Sequence, residues 1–142
     1  MTDFDAEVEN VIDIFVARNR FGVCLLSSTL LVNRLREGNV IEGYQLFERE
    51  KTYIRHYWVR INNQDVDPGT EINQRLQLPH APIPTRITEE KPGDDYFYAS
   101  GLNLEELEEL ENGYRLYQES PKRYWKLITA RLGWIRKFII NN

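Results

Sequence analysis

Tyr53-Ile54-Arg55-His56-Tyr57-Trp58-Val59-Arg60-Ile61-Asn62-Asn63-Gln64-Asp65-Val66-Asp67-Pro68-Gly69-Thr70 reads as a β-hairpin that stops at Pro68-Gly69. β-Branched and aromatic residues suit the pleated, half-buried surface of a strand. Asparagine tolerates the positive φ of a tight turn, so Asn62-Asn63 is the expected turn. A two-residue turn there pairs Ile61 with Gln64, Arg60 with Asp65, and Val59 with Val66. Strand alternation then puts His56, Trp58 and Arg60 on one face, with Asp67 diagonally across from His56 on the same face. Asp65 shares that face but lies opposite Arg60, where an ion pair is the simpler role. A register shift of one residue would send the His56 and Asp67 side chains to opposite faces. An ordinary strand histidine and a turn-forming Asp-Pro-Gly remain the plain alternatives.

Toward the N-terminus, Val40 to Phe47 reads as a partner strand joined through the charged connection Glu48-Arg49-Glu50-Lys51. Before it, Leu25, Leu26, Leu30, Leu31, Val32 and Leu35 give a helix from about Cys24 to Arg36. Its apolar residues cover so much of the circumference that the helix is expected to be central and buried. Glu37-Gly38-Asn39 supplies its stop. A first amphipathic helix begins at Thr2 or Asp3 and carries Phe4, Val8, Val11, Ile12 and Phe15, with the turn Arg18 to Gly22 after it. Cys24 therefore falls at a helix start, where partial positive charge favours the nucleophilic thiolate. A small buried core residue is the competing reading of this cysteine.

Toward the C-terminus, periodicity is lost from Thr70 to Asp95, a proline-rich stretch expected to be largely loop, with a short edge strand at Ile83 to Ile87. Residues 71–95 are the candidate cleft wall, and Tyr96-Phe97-Tyr98 the anchor of its far end. His80 is expected to be a surface loop residue. Residues 102–140 read as a helical hairpin: an acidic helix with Leu104, Leu107, Leu110, Tyr114 and Tyr117, then Ser120-Pro121 as stop and cap. The last helix is basic, with Tyr124, Trp125, Ile128, Leu132, Ile135 and Ile139 as its stripe.

At 142 residues, 42% hydrophobic and 28% charged, the chain is expected to form a single α+β domain over 1–142, with its core at 21–70. A net charge of −4 gives no general reason to expect nucleic acid or an anionic membrane surface as partner. One cysteine cannot form an internal disulfide, and no N-terminal apolar run suggests export, so a reducing, cytoplasmic setting is the expectation. One cysteine and two distant histidines argue against a metal site, and no phosphate-binding glycine loop suggests a cofactor.

Gly22-x-Cys24, Ser28 and Leu31 on the helix, Leu35-Arg36-Glu37-Gly38, Gly43-Tyr44 on a strand, His56-Tyr57-Trp58-Val59 and Asp67-Pro68-Gly69-Thr70 follow one another in order. The series resembles the core of the transglutaminase-like branch of papain-like thiol enzymes. The resemblance covers about fifty residues of this sequence. It implies a central helix on a small antiparallel sheet, with Cys24 as nucleophile, His56 as general base and acid, and Asp67 as the residue that orients the imidazole. Papain-type members place a glutamine shortly before the cysteine to bind the oxyanion. Only Asn19 stands where it could take that role, and the Cys24 backbone N–H is the donor that needs no side chain. The expected activity is cleavage of a peptide or isopeptide bond in a protein or peptide substrate through a thioester. The alternatives are amine transfer of the transglutaminase or arylamine-acetyltransferase type, and an inactive interaction module of the same fold.

Overall fold

Thr52–Ile61, with its alternating aromatic and β-branched side chains, forms the strand to which three others attach. The computed structural model describes residues 3–20, 23–76, 83–99 and 102–140. Phe21, Gly22, Pro79, His80 and Pro82 lie outside the described residues, and with them the glycine expected before Cys24 and the loop histidine. The chain divides into two compact units, Met1–Ser100 and Gly101–Asn142.

The first unit is α+β. In chain order it has α1 (Asp3–Ala17), α2 (Cys24–Leu35), β1 (Asn39–Phe47), β2 (Thr52–Ile61), β3 (Gln64–Val66), α3 (Pro68–Leu76), β4 (Arg86–Thr88) and β5 (Phe97–Tyr98). The main path of the sheet runs β3-β2-β1-β4, antiparallel throughout. β5 adds to β2 in parallel at Thr52 and Tyr53, on the edge whose other end holds β3. Asn62 and Asn63 both take positive φ, 51° and 62°, and the register is the expected one: Ile61 opposite Gln64, Arg60 opposite Asp65, Val59 opposite Val66. Arg60 Nε donates to Asp65 at 2.9 Å, so Asp65 is an ion-pair partner of Arg60, beside Glu89 at 3.0 Å.

α2 buries Leu25, Leu30 and Leu31 and packs against β2 and α1. Its small polar residues Ser27, Ser28 and Thr29 are buried too, and they return their hydroxyls to carbonyls of Cys24, Tyr57 and Leu26. Arg36 closes the helix in a left-handed conformation, φ 59°. α1 buries Val11, Ile12 and Phe15. It is tied to α2 by Glu7–Arg34 at 2.6 Å and to α3 by Glu9–Arg75 at 2.9 Å.

Two expectations need correction. The chain after Asp67 is a helix, not a loop: Asp67 is its N-cap, Pro68 occupies the first helical position, where its missing N–H costs nothing, and Thr70 N–H donates to Asp67 Oδ1 at 3.1 Å. The edge strand beyond it is Arg86–Thr88, paired with Tyr44 to Leu46.

The second unit contains α4 (Leu104–Glu119), α5 (Pro121–Arg131) and a 3-10 helix (Gly133–Phe138). Asn103 and Glu106 close α4 with reciprocal capping bonds, and Ser120 ends α4 and caps α5 by accepting from Arg123 N–H. The last helix is the second correction, because it does not run through to Ile139. Leu132 leaves helical geometry at φ −126°, ψ 79°, and glycine follows, the residue that loses most on being held in a helix. Tyr124, Trp125 and Ile135 are buried, with Tyr124 edge-on to Tyr117 at 5.2 Å. Among the described residues no helix is long and apolar enough to cross a membrane.

The turn that sets the hairpin register can be tested alone. Asn63→Gly should raise the melting temperature, because glycine adopts positive φ freely. Asn63→Val should lower stability by about 1–2 kcal/mol, the cost of a β-branched residue in that region. Thermal unfolding followed by circular dichroism reads both.

Candidate active site

His56 lies midway along β2 and is 2% exposed. Its cross-strand partner is Gly43 on β1. A side chain at position 43 would collide with the Trp58 ring at 2.6 Å and with the Thr88 carbonyl at 2.5 Å. Glycine therefore lets the Trp58 indole lie across β1, where it stacks on the His56 imidazole with centroids 6.0 Å apart and planes 21° apart. The ring is held in place by its neighbours before any hydrogen bond is made.

Both Asp67 carboxylate oxygens face His56 Nε2, at 2.9 and 2.8 Å. Asp67 reaches this position because β3 ends one residue earlier and α3 begins one residue later, and the helix cap fixes its side chain. Thr70, one turn into α3, places Oγ1 at 2.6 Å from Asp67 Oδ2 and at 3.3 Å from His56 Nε2. Gln45 on β1, 4% exposed, donates from Nε2 to that hydroxyl at 2.7 Å.

Cys24 is the first residue of α2 and is half-buried. Its thiol is near enough to the His56 imidazole to raise the proton affinity of the ring. Nε2 is turned to Asp67, which leaves Nδ1 as the ring nitrogen without a contact to that carboxylate. Gly69 packs directly on the cysteine: a Cβ at position 69 would stand 2.8 Å from Cys24 Cα and 3.0 Å from its Cβ. α2 starts without a side-chain cap, Val23 preceding it, and the first bond of its ladder is Ser27 N–H to Val23 O. The N–H groups of the first turn, that of Cys24 included, thus have no helical acceptor.

Burial is the largest influence on His56 and by itself pushes its pKa down. The hydrogen bonds from Asp67 and Cys24, with the charges behind them, outweigh it and raise the pKa to about 10. Burial likewise works against the Asp67 carboxylate, yet the His56 bond and charge, with the two Thr70 donors, hold its pKa below the usual 3.8. The pair is therefore an ion pair near neutrality.

The structure joins His56 to Asp67 directly and sets Cys24 against Gly69, two residues on from Asp67. Asn19 stands in the turn that ends α1, exposed, with φ 53° and its backbone N–H on Val16 O. Among the described residues it makes no hydrogen bond to Cys24, His56 or Asp67. Reading the sequence alone passed over Gln45, Gly69 and Thr70 as working parts. Asp-Pro at 67–68 carried the signal for the last two, because aspartate before proline marks a helix start as readily as a turn. Gln45 was marked only by its place two residues from Gly43 on the His56 face. Among the described residues no group of three or more His, Cys, Asp or Glu is arranged to hold a metal ion.

Two expected outcomes follow from this geometry. Gly69→Ala should force Cys24 out of place, with a stability loss of about 1–3 kcal/mol and slower thiol alkylation. Stability should also depend on pH through the ion pair. The His56 pKa is raised on folding, so its contribution is full below about 6.5, the unfolded value, and is lost as pH climbs through about 10. The Asp67 pKa is depressed, so its contribution is present above the ordinary 3.8 and is lost as pH falls through the lower folded value. Urea midpoints across that range should fall at both ends, and Asp67→Asn should flatten both slopes. Compared with known proteins, the chain matches no family model, no curated protein and no solved structure, so the chemistry of the site is carried by its own residues and geometry.

Proposed function

We propose that the protein is a cysteine-dependent acyl-transfer enzyme that hydrolyses a peptide or isopeptide bond, built on a papain-like core of the transglutaminase-like kind. The observation that carries this reading is the His56 imidazole bound to the Asp67 carboxylate, 2.8 Å from Nε2, with the Cys24 thiol near enough to raise the ring's proton affinity. A thiol, an imidazole and a carboxylate in that chain of contacts are the parts of a nucleophile, its base and the group that orients the base.

In the proposed reaction the sulfur attacks the carbonyl carbon as the thiolate, its proton already held on His56 Nδ1 as the imidazolium. The oxygen takes up negative charge against the unpaired N–H groups at the start of α2, which need no reorganisation to receive it. Collapse breaks the C–N bond, and the imidazolium gives its proton to the leaving amine. The thioester on Cys24 is then attacked by water, with His56 now taking a proton from it, and the carboxylic acid leaves as the thiol re-forms. Asp67 stays ionised throughout. It stabilises the imidazolium and keeps Nδ1 turned to the sulfur.

Reactivity of the thiol is the direct test. Cys24 should be alkylated by iodoacetamide near neutral pH faster than a free thiol such as glutathione, and His56→Ala should bring the rate down to that of the free thiol. Turnover of peptide and ε-linked isopeptide anilides should be lost in Cys24→Ala and fall by roughly a hundredfold or more in His56→Ala. A Cys24 no more reactive than glutathione, unchanged by His56→Ala, would refute the proposal. Product captured by an added primary amine in place of water would move it to amine transfer.

A further inference from the structure

Thr70 and Gln45 form a run of hydrogen bonds with a fixed direction. A threonine hydroxyl has one proton and two lone pairs, and an ionised carboxylate can only accept. Gln45 Nε2 donates to Thr70 Oγ1 at 2.7 Å, so that oxygen is an acceptor on the Gln45 side. Its own proton then goes to Asp67 Oδ2, the shortest contact of the group at 2.6 Å. The Thr70 backbone N–H donates to the other carboxylate oxygen, Oδ1, at 3.1 Å. The remaining lone pair of Oγ1 lies 3.3 Å from His56 Nε2, beside the two carboxylate contacts of that nitrogen.

Every donor in the group therefore points at Asp67 or at the hydroxyl that leans on it. Apart from each other, no acceptor is left for a proton on Asp67 and no donor for a lone pair on Nε2. The arrangement selects the ionised carboxylate and the Nε2–H form of the ring, whether the ring is neutral or charged. Nδ1 is then the only nitrogen that can lose and regain a proton. The anchor of the run is well chosen, because Gln45 is 4% exposed and its amide would be left unsatisfied without the Thr70 hydroxyl. The branched Cβ of threonine also restricts the hydroxyl to few positions.

We propose that Thr70, backed by Gln45, is a positioning residue that sets the proton arrangement of His56 through Asp67. This rests on the acyl-transfer reading of the same site. Neither residue touches the reacting atoms.

The test compares Thr70→Val, which keeps the shape and the backbone N–H cap, with Thr70→Ser, which keeps the hydroxyl, and with Gln45→Leu. The full chain is used throughout. Two readouts are taken, the NMR titration of the His56 ring and the rate of Cys24 alkylation by iodoacetamide. Thr70→Val should lower the His56 midpoint and slow alkylation roughly tenfold, as expected when a reacting pair is left slightly misaligned. Thr70→Ser should restore both, and Gln45→Leu should shift both in the same direction by less. The proposal is overturned if Thr70→Val leaves midpoint and rate at wild-type values, or if Thr70→Ser is as impaired as Thr70→Val. Should Thr70→Val fail to fold, a Gln45→Leu protein with the wild-type midpoint and rate overturns it equally. Failure of the enzyme reading looks different: wild-type Cys24 would then react no faster than glutathione and His56→Ala would have no effect.

Discussion

The contact between His56 and Asp67 ties the first unit together. It joins the middle of the longest strand to the residue where the hairpin ends and the next helix begins. For the carboxylate to arrive, the turn at Asn62-Asn63 must hold its register, β3 must stop after Val66, and α3 must begin at once. For the imidazole to wait there, Gly43 must leave room for Trp58 to lie beside it. A buried ion pair of this kind is a weak source of net stability, since desolvation offsets much of the attraction. Its value lies in what it excludes, because a one-residue slip would leave both charges buried and unpaired.

Asp67 has two duties, and they explain why the local chain runs as it does. As N-cap it accepts from Thr70 N–H, and as imidazole partner it accepts from Nε2. The helix start and the site are assembled by the same carboxylate. Gly69, the next residue but one, gives α3 the close approach that seats it on Cys24. Three consecutive positions thus hold the imidazole, begin the helix and fit the backbone of Cys24.

Much of this was legible in the sequence. The strands at 40–47 and 52–61, the asparagine turn, the register and the choice of Asp67 over Asp65 all follow from alternation and turn chemistry, which act over a few residues. Cys24 as a helix start follows from the periodicity of the leucines after it. What escaped depended on longer reach or on ambiguous local signals. Asp67-Pro68 suits a turn and a helix cap equally, so α3 was read as loop. Gln45 belongs to the site only because β1 pairs beside β2 and the first turn of α3 brings Thr70 to its amide, which no local pattern records. The break before Gly133 was hidden because the apolar spacing continues through it, although the backbone does not.

The start of α2 has a consequence of its own. Valine before a helix is a poor cap, and a serine or aspartate there would be worth about 1 kcal/mol. The chain forgoes that stability at the one helix start that carries its cysteine, while Asn103, Ser120 and Asp67 all cap theirs. A side-chain cap at position 23 would occupy N–H groups that are otherwise open at the start of α2. The helix is less firmly anchored as a result, and the first-turn N–H groups beside Cys24 stay free of any side-chain cap.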